Sequence, residues 1–188
     1  FNNDGLEDLF FVSNQNRNEL YLNQGGLTFK NITDSAGVSG NSDWNTGVTV
    51  ADINADGFMD IYVCGVSKFN GLKSQNELFI NNGDLTFTES ASKYGLDFQT
   101  YATQASFFDY DHDGDLDCYL LNYALEESEN YVPVKKGRQK HEQSGDYLLR
   151  NDGDTFTNVS EQADIMQAKI GFGLSVSISD LNNDGWED

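Results

Sequence analysis

"DINADGFMD", residues 52–60, carries carboxylates or amides at its first, third, fifth and ninth positions and a glycine at its sixth. Calcium takes six to eight hard oxygens in flexible geometry, and a sixth-position glycine permits the sharp turn that wraps a chain around the ion. The side chains of Asp52, Asn54, Asp56 and Asp60 and the backbone carbonyl of Phe58 are therefore candidate ligands. An EF-hand would place a bidentate Glu at position twelve and a helix on each flank. Position twelve is Val63, and the flanks "GVTVA" and "IYVCGV" alternate with the two-residue period of strands. The stretch thus reads as a calcium loop between two strands, clipping them together.

The loop recurs. "NNDGLED" (2–8), "DYDHDGDLD" (109–117) and "DLNNDGWED" (180–188) are relatives of it, and the four glycines Gly5, Gly57, Gly114 and Gly185 lie 52, 57 and 71 residues apart. The third loop offers Asp109, Asp111, Asp113, the carbonyl of Asp115, and Asp117; its twelfth position is Leu120. The fourth offers Asp180, Asn182, Asp184, the carbonyl of Trp186, and Asp188. In the first, Asn2, Asp4, the carbonyl of Leu6, and Asp8 remain, without an opening ligand. A single such loop could be a surface turn whose Asp and Asn bond their own backbone, but four equivalent copies argue for the ion. Magnesium prefers fewer protein oxygens and stricter octahedral geometry, which favours calcium in three complete loops and one partial one.

Two more elements repeat with the loops. "TGVTVA" (from 46), "TQASFF" (from 103) and "GLSVSIS" (from 173) precede them, while "ELYLNQGGLTFKNIT" (from 19), "ELFINNGDLTFTESA" (from 77) and "DYLLRNDGDTFTNVS" (from 146) follow. Each unit reads as four antiparallel strands with a glycine turn between the last two. Four-stranded units at this period match the blades of a β-propeller. The fold expected is all-β: propeller blades with EF-hand-like calcium loops lacking helices, forming a partial arc of a larger propeller across 1–188. The boundaries expected are an incomplete first blade at 1–45, a second at 46–102, a third at 103–170 with an insertion at 123–145, and the first strand and calcium loop of another at 171–188.

Composition narrows the partners. Thirty-one acids against eleven Lys and Arg give a formal net charge of -20, which repels nucleic acid and anionic membranes and attracts cations. No stretch is apolar over the eighteen or so residues needed to span a bilayer. Calcium sites of extracellular strength are empty at cytosolic calcium, so the expected setting is secreted or at the cell surface. Cys64 and Cys118 fall in opposite registers of equivalent strands, which argues for two buried free thiols rather than a disulfide.

The insertion contains Glu126, Glu127 and Glu129, then Lys135, Lys136, Arg138, Lys140 and His141. It reads either as a solvated surface loop or as the place where an anionic glycan, an acidic protein face or an acidic neighbouring domain binds. His112 occupies the fourth, non-liganding position of its loop, and neither histidine accompanies a nucleophile or zinc pattern, so no catalytic residue is assigned. The sequons "NIT" at Asn31 and "NVS" at Asn158 fall at equivalent places after the fourth strand. Recurrent aromatics Tyr21, Phe29, Phe79, Phe87, Tyr147 and Phe156 fit packing between blades.

Together the loops 52–60, 109–117 and 180–188 and the segments "LFINNGDLTFTESASKYGL" and "LLRNDGDTFTNVSEQADI" resemble FG-GAP or VCBS repeats, the blades of integrin-α-like propellers. The nearest resemblance is to repeat proteins of the ASPIC/UnbV-associated, cartilage-acidic-protein-like group. The resemblance covers nearly the whole chain and implies structural calcium on the ligands named above. It implies no particular activity, because such propellers serve adhesion, binding and assembly alike. The function expected is a non-catalytic interaction or adhesion scaffold, partnered by the remaining blades of the same polypeptide. The alternative is the propeller portion of a secreted enzyme, for example a polysaccharide-active one, whose catalytic residues lie outside this segment.

Overall fold

The computed structural model describes residues 1–124 and 139–188. Most of the basic insertion, including Lys135, Lys136 and Arg138, lies outside the described residues. The rest is an all-β chain of three antiparallel sheets, each a meander in sequence order. The first comprises β1 (Leu9–Phe11), β2 (Glu19–Asn23) and β3 (Phe29–Asn31). The second comprises β4 (Asn45–Ala51), β5 (Asp60–Gly65), β6 (Glu77–Asn81) and β7 (Phe87–Glu89). The third comprises β8 (Ala102–Phe108), β9 (Asp117–Asn122), β10 (Tyr147–Asn151) and β11 (Phe156–Asn158). The described residues form no closed propeller.

Two single-turn helices, α1 (Thr33–Ala36) and α2 (Ala91–Tyr94), follow the first two sheets. The strand pattern gave no sign of them. Each ends on a left-handed glycine, Gly37 at φ 76° and Gly95 at φ 71°, whose N–H caps the turn.

Strand periodicity sorts the core. Along β5, Ile61 and Val63 join Leu20, Ile32, Val38, Phe79 and Phe87 in a cluster between the first and second sheets. Tyr62 and Cys64 point the other way, into a cluster with Leu78, Leu96, Ala105, Cys118, Leu120 and Phe156 between the second and third. The middle sheet is therefore buried on both faces, and every residue of β5 is buried. Both cysteines are free, as expected. The geometric reason given by register alone needs correction, however: opposite faces of successive sheets are the ones that meet, so Cys64 and Cys118 share one cluster. Phe79, Phe87, Tyr147 and Phe156 are core residues, whereas Phe29 and Phe11 on the first sheet are exposed.

The first strands of successive sheets lie side by side. Thr46 Oγ1 donates to the Ala102 carbonyl at 2.6 Å and Thr49 Oγ1 to the Ala105 carbonyl at 2.5 Å. Thr103 Oγ1 repeats the first bond one unit later, to the Gly173 carbonyl at 3.2 Å. Segment 173–179 thus lies where another first strand would, and it forms no ladder among the described residues.

Gly47 sits at the bulge of β4, where a Cβ would run into the Thr103 carbonyl of β8. That oxygen belongs to backbone and cannot swing aside, so Gly47→Ala is expected to destabilise the chain by about 1–3 kcal/mol through overpacking. A urea-denaturation midpoint equal to that of the parent would show that the first strands separate more easily than this contact implies.

Candidate metal centre

Each acidic loop is a chain reversal stabilised by its own carboxylates. In 52–60, Asp52 Oδ1 and Oδ2 accept from the N–H groups of Asp56 (3.0 Å) and Gly57 (2.9 Å). Asn54 Oδ1 accepts from Asp56 N–H at 3.1 Å, and Asp56 Oδ1 from Phe58 N–H at 2.9 Å. The pattern repeats at Asp109, Asp113, Asp180, Asn182 and Asp184. Asn2 and Asp4 make its surviving half in the first loop. The turn requires left-handed backbone at positions four and six. Asn3, Ala55, His112 and Asn183 take φ of 56, 55, 60 and 62°, and the four glycines follow at 82 to 99°. Each carboxylate oxygen bonded once to an amide keeps a lone pair for a cation.

Position nine has a second task that spacing alone did not disclose. Asp60 Oδ2 accepts from Ile53 N–H and Oδ1 from Asn81 N–H, both at 2.9 Å. Asp117 accepts likewise from Tyr110 (2.9 Å) and Asn151 (2.8 Å). Asp8 accepts from Asn23 N–H at 2.8 Å and from the Phe1 amino group at 2.7 Å. The ninth carboxylate therefore ties the loop to the end of its sheet's third described strand or its equivalent, Asn23, Asn81 or Asn151. The recurring Asn of "LNQGG", "INNGD" and "RNDGD" was the available signal. Asp60 and Asp117 are fully buried. Burial pushes each carboxyl up to about 6, and the neighbouring Asp56 and Asp52, or Asp111 and Asp115, add to the rise.

The loops differ in how closely they gather donors. In 109–117, oxygens of Asp109, Asp111 and Asp117 all lie within 4.8 Å of one another. Asp111 Oδ1 and Asp115 Oδ1 are buried there without a hydrogen-bond partner. Burial raises the Asp115 pKa, as do Asp113, Asp111 and Asp109. Sequence reasoning gave Asp115 only its backbone carbonyl; the structure leaves its carboxyl Oδ1 buried without a partner as well. Buried, unpaired, mutually repelling oxygens require a cation or protons, so the donor set fits a hard divalent ion. The loop 180–188 is almost wholly exposed, and Asp188 accepts from Leu181 N–H at 2.9 Å.

The sequons also have a structural role. Thr33 Oγ1 accepts from Leu20 N–H at 2.9 Å and donates to Asn31 Oδ1 at 2.7 Å. Ser160 Oγ does the same between Leu148 N–H (2.9 Å) and Asn158 Oδ1 (2.7 Å). In the second unit Glu89 Oε1 takes the place of the hydroxyl, accepting from Leu78 N–H at 3.3 Å. Thr33 and Ser160 are fully buried, so Ser160→Ala leaves a buried amide unsatisfied. In protein made without glycosylation, a loss of about 1–3 kcal/mol in denaturant unfolding is expected. An unmoved midpoint would show that the hydroxyl is dispensable to the sheet.

No helix among the described residues is long and apolar enough to cross a membrane. The sequence profile of the FG-GAP-like repeat matches residues 1–63 and 68–120, more than half of the chain. The chain is also similar to cartilage acidic protein 1 of Xenopus tropicalis, with 26% identity over 190 residues, 99% of this chain and 26% of that protein. For the Mus musculus protein of the same name the identity is 26% over 182 residues, 96% of this chain and 26% of the relative. The chain thus spans about a quarter of the length of these relatives.

Proposed function

The chain belongs to the FG-GAP-like repeat family, and from that premise we propose that it is a calcium-stabilised stretch of β-propeller, a non-catalytic interaction scaffold of a secreted or cell-surface protein. One observation carries the calcium reading. Asp109, Asp111 and Asp117 converge within 4.8 Å, and Asp111 Oδ1 and Asp115 Oδ1 of the same loop are buried without partners. Three sheets stacked face to face, with first strands adjacent, support successive blades. The outer face of the first sheet exposes Leu9, Phe11 and Phe29 at 40, 54 and 37%. An apolar face of this kind suits another repeat of the same polypeptide as its partner. The name of the two relatives places them with cartilage and acidity, which suits an extracellular setting for this acidic chain. The segment 123–145 is the proposed place for a protein or anionic-glycan partner.

Calorimetric titration with calcium tests the metal reading. Three ions are expected per chain, with dissociation constants of order 0.1 mM. Asp52→Ala, Asp109→Ala and Asp180→Ala should each remove one. Absence of binding heat at millimolar calcium would overturn the proposal.

A further inference from the structure

The residue at position four of an acidic loop binds no ion in its own loop, yet its left-handed backbone turns its side chain outward. In the third loop His112 reaches the fourth. Its ring stacks on Trp186, centroids 4.1 Å apart and planes 26° apart, and Nε2 lies 3.1 Å from Glu187 Oε2. Trp186 holds the seventh position, whose carbonyl is an expected ligand of the fourth loop, and Glu187 adjoins the ninth, Asp188. His112 therefore grips the ligating half of the neighbouring loop.

The contact is most extensive at this junction. The first junction has a smaller version of the contact, Asn3 Nδ2 donating to the Gly57 carbonyl at 3.0 Å. At the second junction position four is Ala55, which has no group that could reach across.

Resting on the calcium reading above, we infer that His112 is a positioning residue through which occupancy of loop 109–117 favours occupancy of loop 180–188. An ion on Asp111 and Asp113 fixes the backbone on both sides of His112 and so fixes its ring. The stacked ring then orders Trp186 before the second ion arrives, so that ion meets a smaller ordering cost. Linkage makes the effect reciprocal: an ion in the fourth loop tightens the third by the same factor.

The test uses the chain's two tryptophans. In a Trp44→Phe background the indole emission reports Trp186 alone, and calorimetry follows total binding in parallel. Adding Asp109→Ala is expected to move the calcium midpoint of Trp186 emission several-fold higher. Adding His112→Ala should produce the same shift, with no further shift when the two are combined. His112→Phe, which keeps a ring for stacking, should restore most of the affinity, and Asp52→Ala should leave the midpoint in place. Ala55 shows that position four tolerates alanine, so His112→Ala leaves the loop foldable. Calcium heat with one Trp186 midpoint in all variants, or a Trp186 signal that ignores calcium, overturns the coupling while leaving the calcium reading intact. Loss of calcium heat in every variant and in the parent overturns the calcium reading itself.

Discussion

Stripping calcium with a chelator at neutral pH is expected to lower the melting temperature by about 8–16 °C relative to 1 mM calcium. A site with a dissociation constant of order 0.1 mM contributes about RT ln 11, or ~1.4 kcal/mol, at that concentration. Three complete loops then contribute ~4 kcal/mol, and in a domain of this size each kcal/mol shifts the midpoint by about 2–4 °C. The loops cross from one strand to the next in each sheet, so their loss loosens the entry to β5 and β9 together. Equal melting temperatures in calcium and chelator would mean that the loops are held by their own Asp and Asn bonds alone.

The metal-free chain is expected to gain stability on acidification from pH 7 to pH 5. Asp60 and Asp117 have folded-state values of about 6 against 3.8 for the free carboxyl, chiefly because burial disfavours the charge. A raised value means that the folded state binds the proton more tightly. Its contribution is full below about 3.8 and disappears as pH rises through about 6. Two units correspond to roughly 2–3 kcal/mol for each group. Calcium reverses the trend because it holds the same carboxylates ionised and protons compete with it. Melting curves between pH 5 and 7, with chelator and with saturating calcium, should therefore slope in opposite directions. Asp60→Asn with Asp117→Asn should flatten the metal-free slope; a metal-free slope of the calcium-loaded sign would refute the account.

Much of this was legible in the residues. Period-two runs around each loop gave the strands of the second and third sheets, since alternation records which side chains face a neighbour. The chain reversals at 52–60 and 109–117 were legible because the spacing of Asp, Asn and Gly fixes them locally. The tie from Asp60 to Asn81 was not, since it spans 21 residues and depends on β6 pairing with β5.

The sequence by itself determined the repeat, the meander of the second and third sheets and the turn of each acidic loop, because these depend on neighbours within one unit. The tertiary structure alone decided which faces meet. It brought Cys64 and Cys118 into one cluster, pressed Gly47 against Thr103, buried Asp60 and Asp117, and laid His112 on Trp186. Those contacts join residues of different sheets or loops, and the stacking of one unit on another is set by the fit of their surfaces.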